Sequence, residues 1–272
     1  MIGKAIESAL LQDYPELEVV ISDNCSTDNS DEVIRKYTSD PRVKYFRNET
    51  NLGMLGNFRK ATFEYAQGEL ITYVSSDDYL TDSSFLNDAV RFFEVSQNQS
   101  LVFGRMSVIN LDSGRKWIFP QKPFFDIDNW NGLDVFMGGM QGPLFSCCGC
   151  LMRMENLKKV DAYHKDYIGF DLENNYKMML LGSVGFINKV SYVMTGHSDN
   201  NTFPKKASKI IEGYEAYENV ERYASSRFPD KKGEFVNWKN ACLLSLVSWG
   251  FHVLSYRGGV EYTTFKKETK RL

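Results

Sequence analysis

Ile2, Ala5, Ile6, Ala9 and Leu10 recur at the three-to-four residue interval of an amphipathic helix, and Pro15 closes the run. Residues 17–22 (LEVVIS) then read as a buried strand. Residues 28–31 (DNSD) cap a short helix through Val33, Ile34 and Tyr37, and residues 43–46 (VKYF) return to a strand. Met54, Leu55, Phe58, Ala61, Thr62 and Tyr65 share one helix face that Gly68 stops, before an apolar strand at 70–74. Phe85, Leu86, Ala89, Val90 and Phe93 predict another helix, and residues 101–103 another strand. Helix and strand alternating across short links predict an α/β domain with a mostly parallel sheet flanked by helices.

Beyond that alternation, residues 116–142 are aromatic, Gly- and Pro-rich and weakly periodic, and read as long loops of the kind that form binding surfaces. A helix is predicted over 171–181, and strand-like alternation over 184–194 around Asn188. From Ala207 onward the period is helical, so the chain divides into an α/β domain at 1–203 and a helical C-terminal region at 204–272. The pattern opens on a helix, so the strand that should feed it lies upstream or is missing. Such a first strand is usually central, and its loss would leave a gap in the ladder with unpaired N–H and C=O groups.

The chain has 272 residues, is 43% apolar and 25% charged, and carries a net charge of −3, which excludes disorder and a wholly basic nucleic-acid binder. The charge is uneven, with an acidic body and a basic end. Lys266, Lys267, Lys270 and Arg271 follow the apolar stretch 241–254, an arrangement suited to leaning on anionic lipid at the inner face of a membrane. That stretch is too short to span a bilayer. Five cysteines, three of them crowded at Cys147, Cys148 and Cys150, do not form a disulfide framework and point to reducing cytoplasm. The triplet lacks the second pair a structural zinc site needs, and reads instead as small buried side chains near an acceptor pocket. No phosphate-binding P-loop or dinucleotide fingerprint is present.

Candidate chemistry sits where strands end, because ligands of such sheets bind outside the carboxyl ends of the strands. Residues 22–28 (SDNCSTD) follow one strand and residues 75–78 (SSDD) follow another. Adjacent carboxylates there are costly unless they bind a cation or hydrogen-bond donors, and hard oxygen ligands suit magnesium or manganese. The plainer alternative is that Asp23, Asp28, Asp77 and Asp78 only cap turns and helices.

Taken in order, residues 5–8 (AIES), 12–15 (QDYP), 18–28 (EVVISDNCSTD), 51–53 (NLG), 68–71 (GELI) and Asp77-Asp78 resemble the family 2 glycosyltransferases, nucleotide-sugar enzymes of the GT-A type. The resemblance is close to about residue 80 and looser to about 202. It implies that Asp23 receives the nucleotide base, that Asn51 and Gly53 border the donor, that Asp77 ligates a divalent metal (Mn or Mg), and that Asp78 lies in the donor-binding motif. It also implies that Asp171 is the base that takes the acceptor proton, and that His197 approaches the metal or the diphosphate. Ser75 departs from the family's Asp at that position, and Phe58 stands near a usual Arg. The Gln-x-x-Arg-Trp signature of processive synthases is absent, which favours single addition.

The expectation is therefore an inverting, metal-dependent transferase that moves a sugar from a nucleotide-sugar donor to a glycan or lipid-linked acceptor in surface polysaccharide assembly. Two alternatives are an N-terminally truncated, catalytically impaired sugar-nucleotide-binding or scaffold protein, and a nucleotidyltransferase, for which the Gly-rich phosphate loop is not visible.

Overall fold

The computed structural model describes residues 1–120, 129–138, 147–165, 169–197, 206–255 and 259–269. Helix α1 (Ile2–Leu10) buries Ala5 and Ile6. They pack over β1 (Val19–Asp23), which runs parallel to β2 (Val43–Arg47), with α2 (Ser30–Arg35) crossing between them. Ile6, Ile21, Ile34 and Val43 make a small core of their own there. Helix α3 (Gly53–Lys60) continues into a single π turn at Ala61–Tyr65 and leads to β3 (Leu70–Ile71). After β4 (Tyr79–Leu80) and α4 (Phe85–Val95) comes the long central strand β5 (Gln99–Asn110). Strand β6 (Lys116–Phe119) folds back on it, followed by β7 (Asn129–Asn131) and α5 (Gly132–Gly138). Strand β8 (Cys150–Arg153), α6 (Met154–Lys159), α7 (Phe170–Met179) and β9 (Ser183–Gly196) complete the body. The C-terminal helices are α8 (Ala207–Arg227), α9 (Lys232–Ser255) and α10 (Gly259–Glu268).

The α/β class, the flanking helices and the helical C-terminal region are as the sequence predicts. Strand directions differ from a mostly parallel sheet, because the sheet is mixed. Five strands run in the order β3-β8-β5-β9-β4, with β6 and β7 attached at the sides. Only β5 and β9 run parallel in it, while β8 lies antiparallel to both β3 and β5, and β4 and β7 lie antiparallel to β9. Period-two burial marks a strand but carries no direction, so the returning strands could not be told from forward ones. Among the described residues β1 pairs with β2 alone, and no strand joins this two-stranded sheet to the larger one. The segment read as long loops holds β6, β7 and α5, whose exposed Trp117 and Ile118 and brief Asn129–Asn131 run leave no legible period.

Strand β9 is continuous, and the alternation broken at Asn188 is a register shift in which Gly104 and Arg105 of β5 face Ile187 and Val190. The predicted boundary at residue 203 lies outside the described residues. The main core passes across the two predicted parts: Trp238 of α9 packs 4.6 Å from Phe136 of α5 and 4.9 Å from Tyr176 of α7, ring centre to ring centre. No helix among the described residues is long and apolar enough to cross a membrane. Lys266 and Lys267 are exposed on α10, whereas Lys270 and Arg271 lie outside the described residues.

Candidate active site

The loop after β1 is held by a network of amides. Asn57 of α3 donates to the Ser22 carbonyl (3.0 Å) and accepts from the Ser22 hydroxyl (2.7 Å) and from Asn48 Nδ2 (2.8 Å). Asn24 accepts from Leu52 N (2.8 Å) and donates to Asn51 Oδ1 (2.9 Å) and to the Gly53 carbonyl (3.0 Å). Asn51 Oδ1 also accepts from Gly53 N (2.8 Å), closing a turn in which Gly53 takes a φ of 74°, a conformation that favours glycine. The expected donor-bordering residues Asn51 and Gly53 are thus joined to the Asp23 loop through Asn24. Asn24, Asn48 and Asn57 were not read from the sequence as site residues. Their signal is an Asn placed just after one strand end, just after the next, and one turn into the following helix.

Asp23 lies at the end of β1 with a side chain only 1% exposed. Its carboxylate accepts from Ser26 N (2.9 Å) and from the Tyr45 hydroxyl (3.2 Å), and pairs with Arg47 Nε (3.3 Å). Burial and these contacts leave little of the carboxylate open, although the single Tyr45 proton is shared between Asp23 and Asp31. Asp23 organises a Tyr45–Arg47–Asp31 cluster, in which Asp31 accepts from the Tyr45 hydroxyl at 2.7 Å. An open carboxylate waiting for a base is not what the geometry shows.

The second acidic loop is clamped to β9. Asp78 is buried and accepts from the Tyr192 hydroxyl (2.5 Å), Thr195 N (2.7 Å) and Thr195 Oγ1 (3.3 Å). Burial pushes its pKa up, against the lowering effect of those donors. Thr195 Oγ1 also donates to the Asp77 carbonyl (2.7 Å), which pins the backbone on the C-terminal side of the Asp77 side chain. Asp77 Oδ2 then meets His197 Nε2 at 3.1 Å, just past the end of β9, and both side chains are 22% exposed. The structure sets Asp77 beside His197, and turns the Asp78 carboxylate inward onto Tyr192 and Thr195.

The same loop rests against the cysteine segment. Tyr73 bridges to Cys148 in parallel, Gly149 N donates to the Tyr73 carbonyl (3.2 Å), and Ser75 Oγ meets Cys148 Sγ at 3.6 Å. Gly149 has a φ of 70°, and a Cβ there would lie 2.6 Å from Tyr192 Cβ. Its bare backbone is what lets Tyr192 pass and reach Asp78.

Asp171 opens α7 beside its own and Leu172's backbone amides, at the helix end where a negative charge is favoured. Burial nevertheless dominates and pushes its pKa up from 3.8. Its charge acts on Cys147 and on Tyr217 of α8, both of whose pKa values are raised. For Cys147 the hydrogen bond with Cys148 comes first and burial second, and for Tyr217 burial comes first. Cys148, 4.0 Å from Cys147 sulfur to sulfur, is the member of the segment that meets Ser75.

Phe170 joins an aromatic cluster with Phe58 (6.0 Å) and Tyr163 (5.8 Å), and Phe58 also packs on Tyr73 (5.3 Å). Phe58 thus ties the start of α7 and Tyr73 to α3. Glu173, the second acid of α7, is buried with Lys177 and Asn219 (3.1 Å) and anchors α7 to α8.

The family model described as Glycosyl transferase family 2 matches residues 1–161. The chain belongs to glycosyl transferase family 2. Within the family, the poly(ribitol-phosphate) beta-N-acetylglucosaminyltransferase TarS of Staphylococcus aureus (strain Mu50) is 34% identical over 111 residues, covering 40% of this chain and 19% of TarS. The Escherichia coli UDP-Glc:alpha-D-GlcNAc-diphosphoundecaprenol beta-1,3-glucosyltransferase WfgD is 31% identical over 122 residues, covering 44% of this chain and 47% of WfgD. The matches thus span between 19% and 47% of these relatives' lengths. A crystal structure of TarS 1-349 is similar with a TM-score of 0.65 at 23% identity, over 87% of this chain and 67% of that one. A second, of TarS 1-349 in complex with UDP, gives a TM-score of 0.63 at 23% identity, over 82% of this chain and 61% of that one. Both likenesses are of fold.

Proposed function

We propose that this family 2 protein transfers a sugar from a nucleotide-sugar donor to a glycan or lipid-linked acceptor, with a divalent cation at Asp77 and inversion at the anomeric carbon. The observation that carries the reading is the Asp77–His197 pair, 3.1 Å apart and partly open, on a loop whose neighbouring groups are clamped to β9. The Asp77 carboxylate is the hard oxygen ligand that manganese and magnesium take, and the His197 imidazole adds a softer nitrogen donor beside it. Among the described residues no cluster of three or more ligating side chains occurs. That also fits an ion held by one or two protein ligands and completed by water and substrate phosphates. Asp77 and His197 would hold it, and when bound it supplies Lewis-acid neutralisation of the departing diphosphate.

The other roles follow from position. Asn51 and Gly53, fixed by Asn24, border the nucleoside, and Asp23 shapes that side through Tyr45 and Arg47 while keeping at most a small share of its accepting capacity for the base. Asp78 holds the loop. Asp171 takes the acceptor hydroxyl proton on the face opposite the leaving group, so a single displacement inverts the configuration. Support for a UDP-type donor comes from the TarS complex with UDP, and support for a lipid-linked acceptor comes from the diphosphoundecaprenol-linked acceptor of WfgD. The exposed Lys266 and Lys267 agree with a resting place near anionic lipid, where each basic residue contributes about 1 kcal/mol.

Incubation with a panel of nucleotide sugars and diphosphate-linked lipid acceptors tests this. The expected products are a nucleoside diphosphate and a glycoside of inverted configuration by NMR. A retained configuration, or formation of a nucleotide sugar with release of inorganic pyrophosphate, would contradict it.

A further inference from the structure

Strand β6 extends the sheet beside the Asp77–His197 pair, and the mechanism above gives it no task. Its hairpin with β5 is tied down at the tip. Asn110 N donates to the Arg115 carbonyl (2.9 Å), Gly114 N to the Asn110 carbonyl (2.8 Å) and Ser113 N to Asn110 Oδ1 (2.7 Å). Leu111 N donates to the carbonyl of Gly196 (2.8 Å), the residue before His197. The turn is therefore fixed against the end of β9 that sets His197 beside Asp77.

Register decides which side chains share a face. Lys116 stands opposite Ile109, and Ile109 opposite Thr195, so the three form one row across β6, β5 and β9. Two strand spacings of about 4.8 Å put the Lys116 and Thr195 backbones roughly 10 Å apart, and Thr195 Oγ1 is bonded to the Asp77 carbonyl. The four-carbon stem of a lysine and one diphosphate span that gap. Ile118, Ser107 and Val193 make the next row on the same face, while Trp117 lies on the opposite face with Val108 and Met194. Leu101 and Phe103, further back on the Ile109 face of β5, belong to the core that holds Phe170, the neighbour of Asp171.

Both the charge and the apolar surface in these rows are uncommitted. Lys116 is exposed, and among the described residues no carboxylate pairs with it. Ile118 is 38% exposed and Leu111 of the turn 52%, and apolar side chains grouped in the open beside a site mark a surface that is covered in use. A cation with hydrocarbon next to it suits an amphiphile with an anionic head. We propose that Lys116 and Ile118 form a subsite for the lipid-linked acceptor, Lys116 holding its diphosphate and Ile118 the first part of its hydrocarbon chain. The subsite rests on the acceptor class in the function proposed above. The acceptor is the occupant because the row shares its face with the start of α7, where Asp171 takes the acceptor proton, and because a nucleotide offers no hydrocarbon to Ile118.

The full chain is titrated by calorimetry with farnesyl diphosphate and, separately, with UDP and manganese. Farnesyl diphosphate is expected to bind. Lys116→Ala should weaken it about 10- to 100-fold, the scale of one hydrogen bond to a charged group, and Lys116→Arg should restore most of the loss. Ile118→Asn should weaken it as well, Trp117→Ala on the opposite face should not, and UDP affinity should be the same throughout. No binding by the unaltered chain, unchanged affinity in Lys116→Ala, or an equal loss in Trp117→Ala overturns the subsite. A parallel fall in UDP affinity hands Lys116 to the donor and overturns the acceptor assignment. If farnesyl diphosphate binds through Lys116 while no sugar is transferred to any lipid-linked acceptor, the proposed function fails and the binding site stands.

Discussion

Asp171 shows how one side chain can carry opposite demands. Burial raises its pKa from 3.8 and the amides of the first turn of α7 pull the other way without winning. A base must be ionised to take a proton, so activity should rise with pH through this elevated value, and the acid limb of kcat/KM should sit above that of a free carboxylate. Stability runs the other way. A carboxyl whose folded pKa is raised contributes fully at low pH, and that contribution is lost as pH climbs from 3.8 through the folded value. Asp171→Asn is therefore expected to cut turnover by about 10²- to 10⁴-fold, abolish the acid limb, leave UDP affinity intact, and not lower Tm at neutral pH. Steady-state kinetics against pH, with a melting curve, checks all four.

At this scale the motif order proposed Asp77, His197 and Asp171, and the structure sets Asp77 beside His197. The inward commitment of Asp78 and Asp23 was not legible, because their partners Tyr192, Thr195, Tyr45 and Arg47 come from other strands.

Among the elements, the short passage into β8 does more than its length suggests. Cys148 and Gly149 bridge to Tyr73 on one side and Gly149 gives way to Tyr192 on the other, and the φ of 70° at Gly149 makes both contacts compatible. Replacing Gly149 by Ala adds a methyl 2.6 Å from Tyr192 Cβ in a backbone conformation that L residues avoid. The expected cost is about 1–3 kcal/mol of stability, seen as a lower urea midpoint, together with weaker UDP binding as Tyr192 retreats from Asp78. An unchanged midpoint and unchanged affinity would show that this close approach is unimportant. The sequence singled out the cysteines here and passed over the glycine between them. A positive φ leaves no periodic trace, and the partner that makes it necessary lies 43 residues further along the chain.

In the molecule as a whole, the alternation of helix and strand was enough to fix the class, and it failed on strand directions and on the strand read at 70–74, of which only Leu70–Ile71 forms. The C-terminal helices are not an appendage. Arg227 of α8 donates to the Leu180 carbonyl at the end of α7 (2.8 Å), and Trp238 sits in the core that also holds Phe136 and Tyr176. Asp171, at the start of α7, is thereby held from behind by the region that the sequence separated from it at residue 203. The two acidic loops are likewise coupled through α3, which grips Ser22 with Asn57 and Tyr73 with Phe58. In the proposed mechanism the Asp77 side chain, outside the clamp that holds Asp78, binds a cation that the diphosphate completes. Calorimetric titration of UDP into the intact protein with manganese, with chelator, and with Asp77→Ala tests it most directly. Binding is expected with manganese alone and should vanish in the other two; equal affinity in all three would contradict it.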